Sequence, residues 1–165
     1  MHERLEVRTR KAEARDIDSL EAVINQHWKV NIDHHQELNN EDAILLVAEG
    51  LGAPPPSGSP IVGTGLMWVT NWNKTGYLVE LAVGKGHQRK GIGKALVNEF
   101  ARVAKEKQLR AIMVETQPDN RDGMDFYLAN GFRLCDYNDR YYTNNPKSSH
   151  EIALFFSLDL DHQEQ

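Results

Sequence analysis

The chain predicts a mixed α/β protein built on one central sheet, and three features carry that prediction. Alternating or apolar segments suited to strands stand near both ends, starting at Leu5 and finishing at Leu160. Helical periodicity appears after the first strand and again in the second half. Between them, Tyr77 to Val103 reads YLVELAVGKGHQRKGIGKALVNEFARV, an apolar strand that breaks into a glycine-rich basic loop and then an amphipathic helix. A length of 165 residues, 40% of them hydrophobic, suits a single domain over residues 1–165 with its core within about 4–160.

In chain order, Leu5-Glu6-Val7-Arg8-Thr9 alternates and predicts the first strand. Asp16 is placed to cap a helix whose buried stripe is Ile17, Leu20, Val23, Ile24 and Trp28. Val30 to Asn40 turns polar and predicts a short second helix or a loop. Ala43 to Glu49 and Ile61 to Thr70 are strands, and residues 50–60 between them form a proline-rich hairpin connection, because proline cannot join a ladder. The Pro54-Pro55-Pro56 run reads as a stiff loop rather than a ligand for an adaptor domain. Trp68 and Trp72 flank the next turn and, as large aromatics, read as core rather than pocket.

After the strand Tyr77 to Val83, the central helix buries Ile92, Ala95, Leu96, Phe100, Val103 and Ala104 at steps of three and four. Arg110 to Glu115 is the fifth strand, and Pro118-Asp119-Asn120 announces a helix over Arg121 to Ala129 that stops at Asn130-Gly131. Phe132 to Tyr137 resumes a strand. A polar loop, Asn144 to Ser149, leads to the last strand, Ile152 to Leu160, and a frayed tail, Asp161 to Gln165.

Composition removes several functional classes. With 19 Lys and Arg against 24 Asp and Glu, the formal charge of −5 argues against a general nucleic-acid surface and weakly favours a cationic small-molecule partner. No apolar run approaches a membrane span, and the N-terminal residues lead into no apolar signal region. The single Cys135 cannot form an internal disulfide, which agrees with a cytoplasmic location. Without a histidine partner Cys135 reads as a small buried residue rather than an acyl-carrying nucleophile. His27, His34 and His35 have no companion cysteine and no HExxH pattern, so no metal is expected and they read as solvated surface.

The loop Gly84 to Gly93 combines four glycines with Lys85, His87, Arg89 and Lys90. Glycines let the backbone turn its N–H groups inward, and a helix N-terminus adds partial positive charge, so the expected guest is a phosphate or pyrophosphate. A Walker loop fails, because Gln88 stands where its first glycine belongs and Ala95 replaces the magnesium-binding hydroxyl. A dinucleotide fingerprint fails too, because Arg89 and Leu96 occupy its third glycine in the two registers available.

What the loop does spell, Gln88-x-x-Gly91-x-Gly93 after a strand and opening a helix, resembles the pyrophosphate loop of the GNAT family of N-acetyltransferases. One strand later, Asn120-x-x-Gly123-x-x-Phe126-Tyr127-x-x-x-Gly131-Phe132 resembles that family's second motif, with Gly123 where alanine is usual. Glu115 to Asn120 and Glu151 to Phe156 are similar to the streptothricin acetyltransferase branch. The resemblance implies a mostly antiparallel sheet of about seven strands flanked by about four helices, acetyl-CoA as co-substrate, and transfer to a primary amine.

The resemblance also assigns residues. Gln88, Arg89, Lys90, Gly91, Ile92, Gly93 and Lys94 would hold the pyrophosphate, and Leu81, Ala82 and Val83 the pantetheine arm and thioester. Asn120 would bond the coenzyme, cap its helix, or do both. Glu80, a carboxylate in an otherwise apolar strand, would be the general base, directly or through water, unless it faces solvent or pairs with a cation. Tyr127 would be the general acid for the leaving thiolate. The acceptor stays open among antibiotic-like amines, polyamines, amino acids and protein N-termini. A non-catalytic acyl-CoA sensor is the alternative, and a homodimer is compatible with the fold.

Overall fold

The computed structural model describes residues 5–52, 58–145 and 151–160. The Pro54-Pro55-Pro56 run, the Pro146 to Ser149 part of the polar loop and the Asp161 to Gln165 tail lie outside the described residues. Its elements in chain order are β1 (Val7–Lys11), a 3-10 turn (Ala14–Asp16), α1 (Ile17–Ile24), α2 (His34–Leu38), β2 (Ala43–Gly50), β3 (Ile61–Thr70), β4 (Thr75–Val83), α3 (Ile92–Glu106), β5 (Ala111–Thr116), α4 (Arg121–Ala129), β6 (Arg133–Asn138) and β7 (Ala153–Asp159). The strands form a 7-stranded sheet in the order β1-β2-β3-β4-β5-β7-β6.

Every pairing in that sheet is antiparallel except β4 with β5. That parallel pairing is brief: Thr75, Gly76 and Tyr77 face Ala111, Ile112 and Met113, and no further residues of the two strands are paired. Beyond Tyr77 the strands part, and the sheet opens at its centre. In the same stretch β4 carries a bulge against β3, where Leu66 faces Glu80 but Met67 faces Leu78, which leaves Val79 as the extra residue.

The bulge resets which side chains face which layer. Leu78, Leu81 and Val83 belong to the cluster under α3, whereas Val79 and Ala82 belong to the cluster under α1. Strict alternation would put Glu80 with Leu78; the extra residue turns it instead to the side of α1 and α2.

Helix α3 lies directly on β3. Ile92, Leu96, Val97, Phe100, Val103 and Ala104 are its buried residues, while Ala95 of the predicted stripe is half-buried. The close approach depends on two glycines. A Cβ at Gly63 would lie 2.8 Å from Ile92, and one at Gly65 would lie 2.7 Å from the Phe100 ring.

Three sequence expectations are corrected. Trp28 is 41% exposed, because α1 ends at Ile24 and the chain has left helical register by that point. Trp72 sits in the β3–β4 turn at 87% exposure, and Trp68 is partly exposed on the α2 side of β3, where its Nε1–H donates to Glu37 (3.1 Å), so neither is core. Cys135 is exposed on the edge strand β6; partial burial and nearby acids still push its thiol above the ordinary range. Asp16 does stand at the N-terminus of α1, but its carboxylate serves Arg10 (2.7 Å) and the Glu13 N–H (2.8 Å) rather than the helix.

Replacing Gly65 by Ala forces a methyl group against a fully buried ring. The unfolding midpoint in urea should fall by the equivalent of about 1–3 kcal/mol with the denaturant slope unchanged.

Candidate active site

Glu80 lies on β4 beside the opening, and its carboxylate is turned to the side of α1 and α2. Its Oε2 lies 2.8 Å from Nε2 of His34, the first residue of α2, and Nδ1 of His34 lies 2.9 Å from Oε1 of Glu21 on α1. His34 is completely buried, and Glu80 is 5% exposed. The second oxygen of Glu80, Oε1, is buried with no hydrogen-bond partner among the described residues. Burial alone would push the His34 pKa down, but the bonds and charges of Glu80 and Glu21 outweigh it, and the pKa is raised. The imidazolium form donates from both nitrogens to the two carboxylates.

This corrects the reading of the three histidines as solvated surface. His34 is core because Asp33 caps α2 by accepting from the Gln36 N–H (3.1 Å), and the short helix then lays His34 and Leu38, four residues apart, against the sheet. That spacing was the available signal. His35 stays exposed, and among the described residues no group of three or more His, Cys, Asp or Glu is placed to hold a metal ion.

Further along β4, the Gly84 N–H bonds Val62 O on β3 at 2.9 Å. By the two-residue period of a strand, Ala82 also turns its main chain to β3, while the peptide groups of Leu81 and Val83 face the opening. Leu81 and Val83 are the two residues expected to offer main-chain groups, whereas Ala82, also expected at the pantetheine arm, turns its main chain away from the opening. The Val83 carbonyl already has a partner, for Nε2 of His27 lies 2.6 Å away.

The glycine-rich loop runs from there to the N-terminus of α3. Gly86 (φ 87°), Arg89 (φ 59°) and Gly91 (φ 85°) take left-handed conformations; for Arg89 that costs about 1–2 kcal/mol relative to an ordinary conformation. Gln88, Arg89, Gly91 and Lys94 are exposed and Lys90 half-buried, so the cations surround the helix N-terminus without pairing to acids within it. Ile92 is buried in the core, and a Cβ at Gly93 would lie 3.0 Å from the Phe126 ring, so these two join α3 to its neighbours. Gln26, which carries no signal in the sequence, anchors the loop by accepting from the Lys85 N–H (2.6 Å).

On the other side of the opening, Asn120 caps α4: its Oδ1 accepts from the Gly123 N–H (3.0 Å) and its Nδ2 donates to Thr116 (2.8 Å). A Cβ at position 123 would lie 2.4 Å from the Asn120 amide, which explains glycine where alanine is usual in this cap arrangement. Tyr127 packs its ring between Phe126, Phe132 and Phe156 at centroid distances of 5.5, 5.4 and 6.1 Å. Burial, with a contribution from the Glu115 charge, pushes its pKa up to about 12, so the phenol stays protonated at neutral pH.

A buried carboxylate beside a sheet opening, with a glycine-rich basic loop leading into a helix N-terminus, is the plan of an acyl-CoA transferase domain. The description "Acetyltransferase (GNAT) family" belongs to the family model that matches residues 11–132, most of the chain, and the chain belongs to that family. Streptothricin acetyltransferase A of Bacillus subtilis (strain 168) is 33% identical over 87 residues, 53% of this chain and 50% of that protein. The chain thus spans about half the length of the curated relatives it matches, 50% in both the B. subtilis and Escherichia coli proteins. A Bacillus anthracis (strain Ames) protein described as a streptothricin acetyltransferase, solved in complex with acetyl coenzyme A, superposes with a TM-score of 0.77 at 21% identity, over 93% of this chain and 99% of that one. An alanine N-acetyltransferase of a ribosomal protein from Escherichia coli gives a TM-score of 0.76 at 15% identity over 97% of each chain. Both superpositions establish the fold. Among the described residues no helix is long and apolar enough to cross a membrane.

The paired His34 makes stability pH-dependent. Its folded pKa lies above the ordinary value of about 6.5, so its contribution is complete below that pH and is lost as pH rises through the raised value. Urea midpoints measured from pH 6 to 9 should decline in the parent protein and decline less in His34→Gln.

Proposed function

We propose that this protein is an acetyl-CoA-dependent N-acetyltransferase that passes the acetyl group directly to a primary amine of a small molecule in a ternary complex. The observation that carries this reading is the state of Glu80. One oxygen is clamped by His34, and the other is buried without a partner among the described residues, on the strand that borders the opening. An unsatisfied buried carboxylate oxygen is expensive, and a proton-donating guest is what it lacks.

In the proposed reaction Oε1 of Glu80 takes the proton of the acceptor nitrogen, directly or through one water. As the N–C bond forms, negative charge grows on the thioester oxygen, and the main-chain N–H groups of Leu81 and Val83 that face the opening are its nearest fixed donors. The C–S bond then breaks, sulfur leaves with the electron pair, and Tyr127 gives it a proton; solvent resets both side chains. A phenol near 12 facing a thiol near 8.5 makes that proton transfer uphill by about 5 kcal/mol, which fits inside the barrier of roughly 16 kcal/mol for a turnover of about 10 per second. Tyr127 therefore acts late, as a hydrogen-bond donor that yields its proton when the C–S bond is nearly broken.

Arg89, Lys90 and Lys94, with the turned peptides of the loop and the N-terminus of α3, would hold the pyrophosphate of the coenzyme, and Gln88, Gly91, Ile92 and Gly93 shape that cradle. Asn120, committed to its cap, has less capacity left for the coenzyme than the sequence suggested. The relatives named for streptothricin make an antibiotic amine the first acceptor to try.

Free-thiol release from acetyl-CoA across amines tests the reading: stimulation by one amine class is expected, and coenzyme binding with no stimulation by any amine would overturn it. Glu80→Gln should lower turnover by about 10²–10⁴-fold, most severely at low pH where the amine is protonated, with calorimetric coenzyme affinity nearly intact. Exchanging Arg89 and Lys90 together for Ala should raise the acetyl-CoA KM by about tenfold or more and leave the acceptor KM within about twofold.

A further inference from the structure

Glu115 is a half-buried carboxylate that the chemistry above does not use. It lies on β5 just beyond the last residue paired to β4, on the face opposite Val114, which belongs to the cluster under α3. The Tyr77 hydroxyl donates to Glu115 Oε2, and the Tyr142 hydroxyl lies near the same carboxylate. Because Tyr77 has given its only proton to Glu115, the 2.7 Å contact between the Tyr77 and Tyr141 oxygens makes Tyr141 the donor there. The chain Tyr141 to Tyr77 to Glu115 leaves oxygen lone pairs of all three groups as acceptors.

The cluster shares its face with Glu80. Tyr77 is paired with Trp68, whose indole reaches Glu37 on α2, and Leu66, two residues earlier on β3, faces Glu80. The other wall comes from the β6–β7 connection. Tyr141 and Tyr142 both bond Glu151 O through their backbone N–H groups, Tyr141 stacks edge-on upon Phe155 at 5.2 Å, and Phe155 is the β7 neighbour of Glu115. The two tyrosines are 40% and 41% exposed, so the carboxylate lies behind rings that solvent reaches.

No cationic side chain among the described residues contributes to the surroundings of Glu115, although the protein pairs Glu49, Asp16, Glu99 and Asp159 with arginines. Burial raises its pKa, with the two tyrosine hydroxyls opposing. A carboxylate ringed by phenols and lacking a counter-ion is the chemistry that receives an ammonium group, which gains the charge, the oxygen acceptors and the ring faces together.

We propose that Glu115, Tyr77, Tyr141 and Tyr142 form a subsite for a second ammonium group of the acceptor, so that the substrates are diamines and oligoamines rather than monoamines. The inference rests on the acetyltransferase reading only in calling the guest an acceptor. One amine approaches Glu80 and reacts; the other is held on Glu115, and the chain between them spans the floor of the opening.

Matched probes separate the possibilities: 1,5-diaminopentane against pentylamine, each measured by thiol release with acetyl-CoA and by calorimetric binding to the protein. The parent protein should favour the diamine by about tenfold or more in kcat/KM and in affinity, and Glu115→Gln should lower the diamine values about tenfold more than the monoamine values. Tyr141→Phe should narrow the preference in the same direction, which keeps the test available if Glu115→Gln fails to fold. No preference in the parent protein, or equal losses for both amines in the variants, would overturn the inference. If no amine releases thiol, the transfer reading fails by itself, and the calorimetric preference still decides whether the subsite exists.

Discussion

The parting of β4 from β5 is the constraint on which the rest of the structure depends. A parallel pair that stops after three residues leaves peptide groups in mid-sheet without a ladder, and each unmade bond forfeits roughly 0.5–1.5 kcal/mol. The antiparallel ladders on either side, β3 with β4 and β5 with β7, hold the two halves in place and keep the opening fixed. The bulge at Val79 does the complementary work. It bends β4 where its partner leaves and turns Glu80 toward α1 and α2, so the gap and the carboxylate arise from one local irregularity.

A charge placed in that gap needs company. Removing a carboxylate from water costs several kcal/mol in real proteins, and an attraction recovers this only with good geometry and satisfied hydrogen bonds. His34 supplies both, because its two nitrogens are each within 2.9 Å of a carboxylate and the ring is held by a capped helix. Glu21 matters as much as Glu80 here, since it fixes the far nitrogen and leaves the near one aimed at the site. The side chain of Glu21 is 31% exposed, which puts solvent one residue away from a histidine that has none of its own.

Much of the fold was legible in the chain. Residues 61–70 and 121–129 were bounded as they occur, and the glycine-rich loop and the α4 motif carried the resemblance to the family to which the chain belongs. Periodicity and turn chemistry are local properties, and they survive folding unless tertiary contacts outbid them. The clusters around Glu80 and Glu115 were not legible for the same reason. Glu21, His34 and Glu80 come from α1, α2 and β4, and Tyr77, Glu115 and Tyr141 from β4, β5 and the β6–β7 connection, so within each set no short spacing along the chain links the residues. Glu80 stood out only because it interrupts an apolar run. Glu115 did not, because it closes its strand, where a charged residue is ordinary. Trp68 and Cys135 misled because average burial by residue type says nothing about which strand faces a cleft or lies at an edge.

The contact between His27 and the Val83 carbonyl has a thermodynamic meaning for any thioester that enters. An amide on the ligand arm that reached this carbonyl would exchange one hydrogen bond for another, so little net heat would come from that end. On the proposed reading the nucleotide end would meet the glycine-rich loop, whose Arg89, Lys90 and Lys94 form no ion pair among the described residues, so no such exchange would be made there. On that reading, discrimination between full coenzyme and truncated thioesters would reside mostly in the diphosphate.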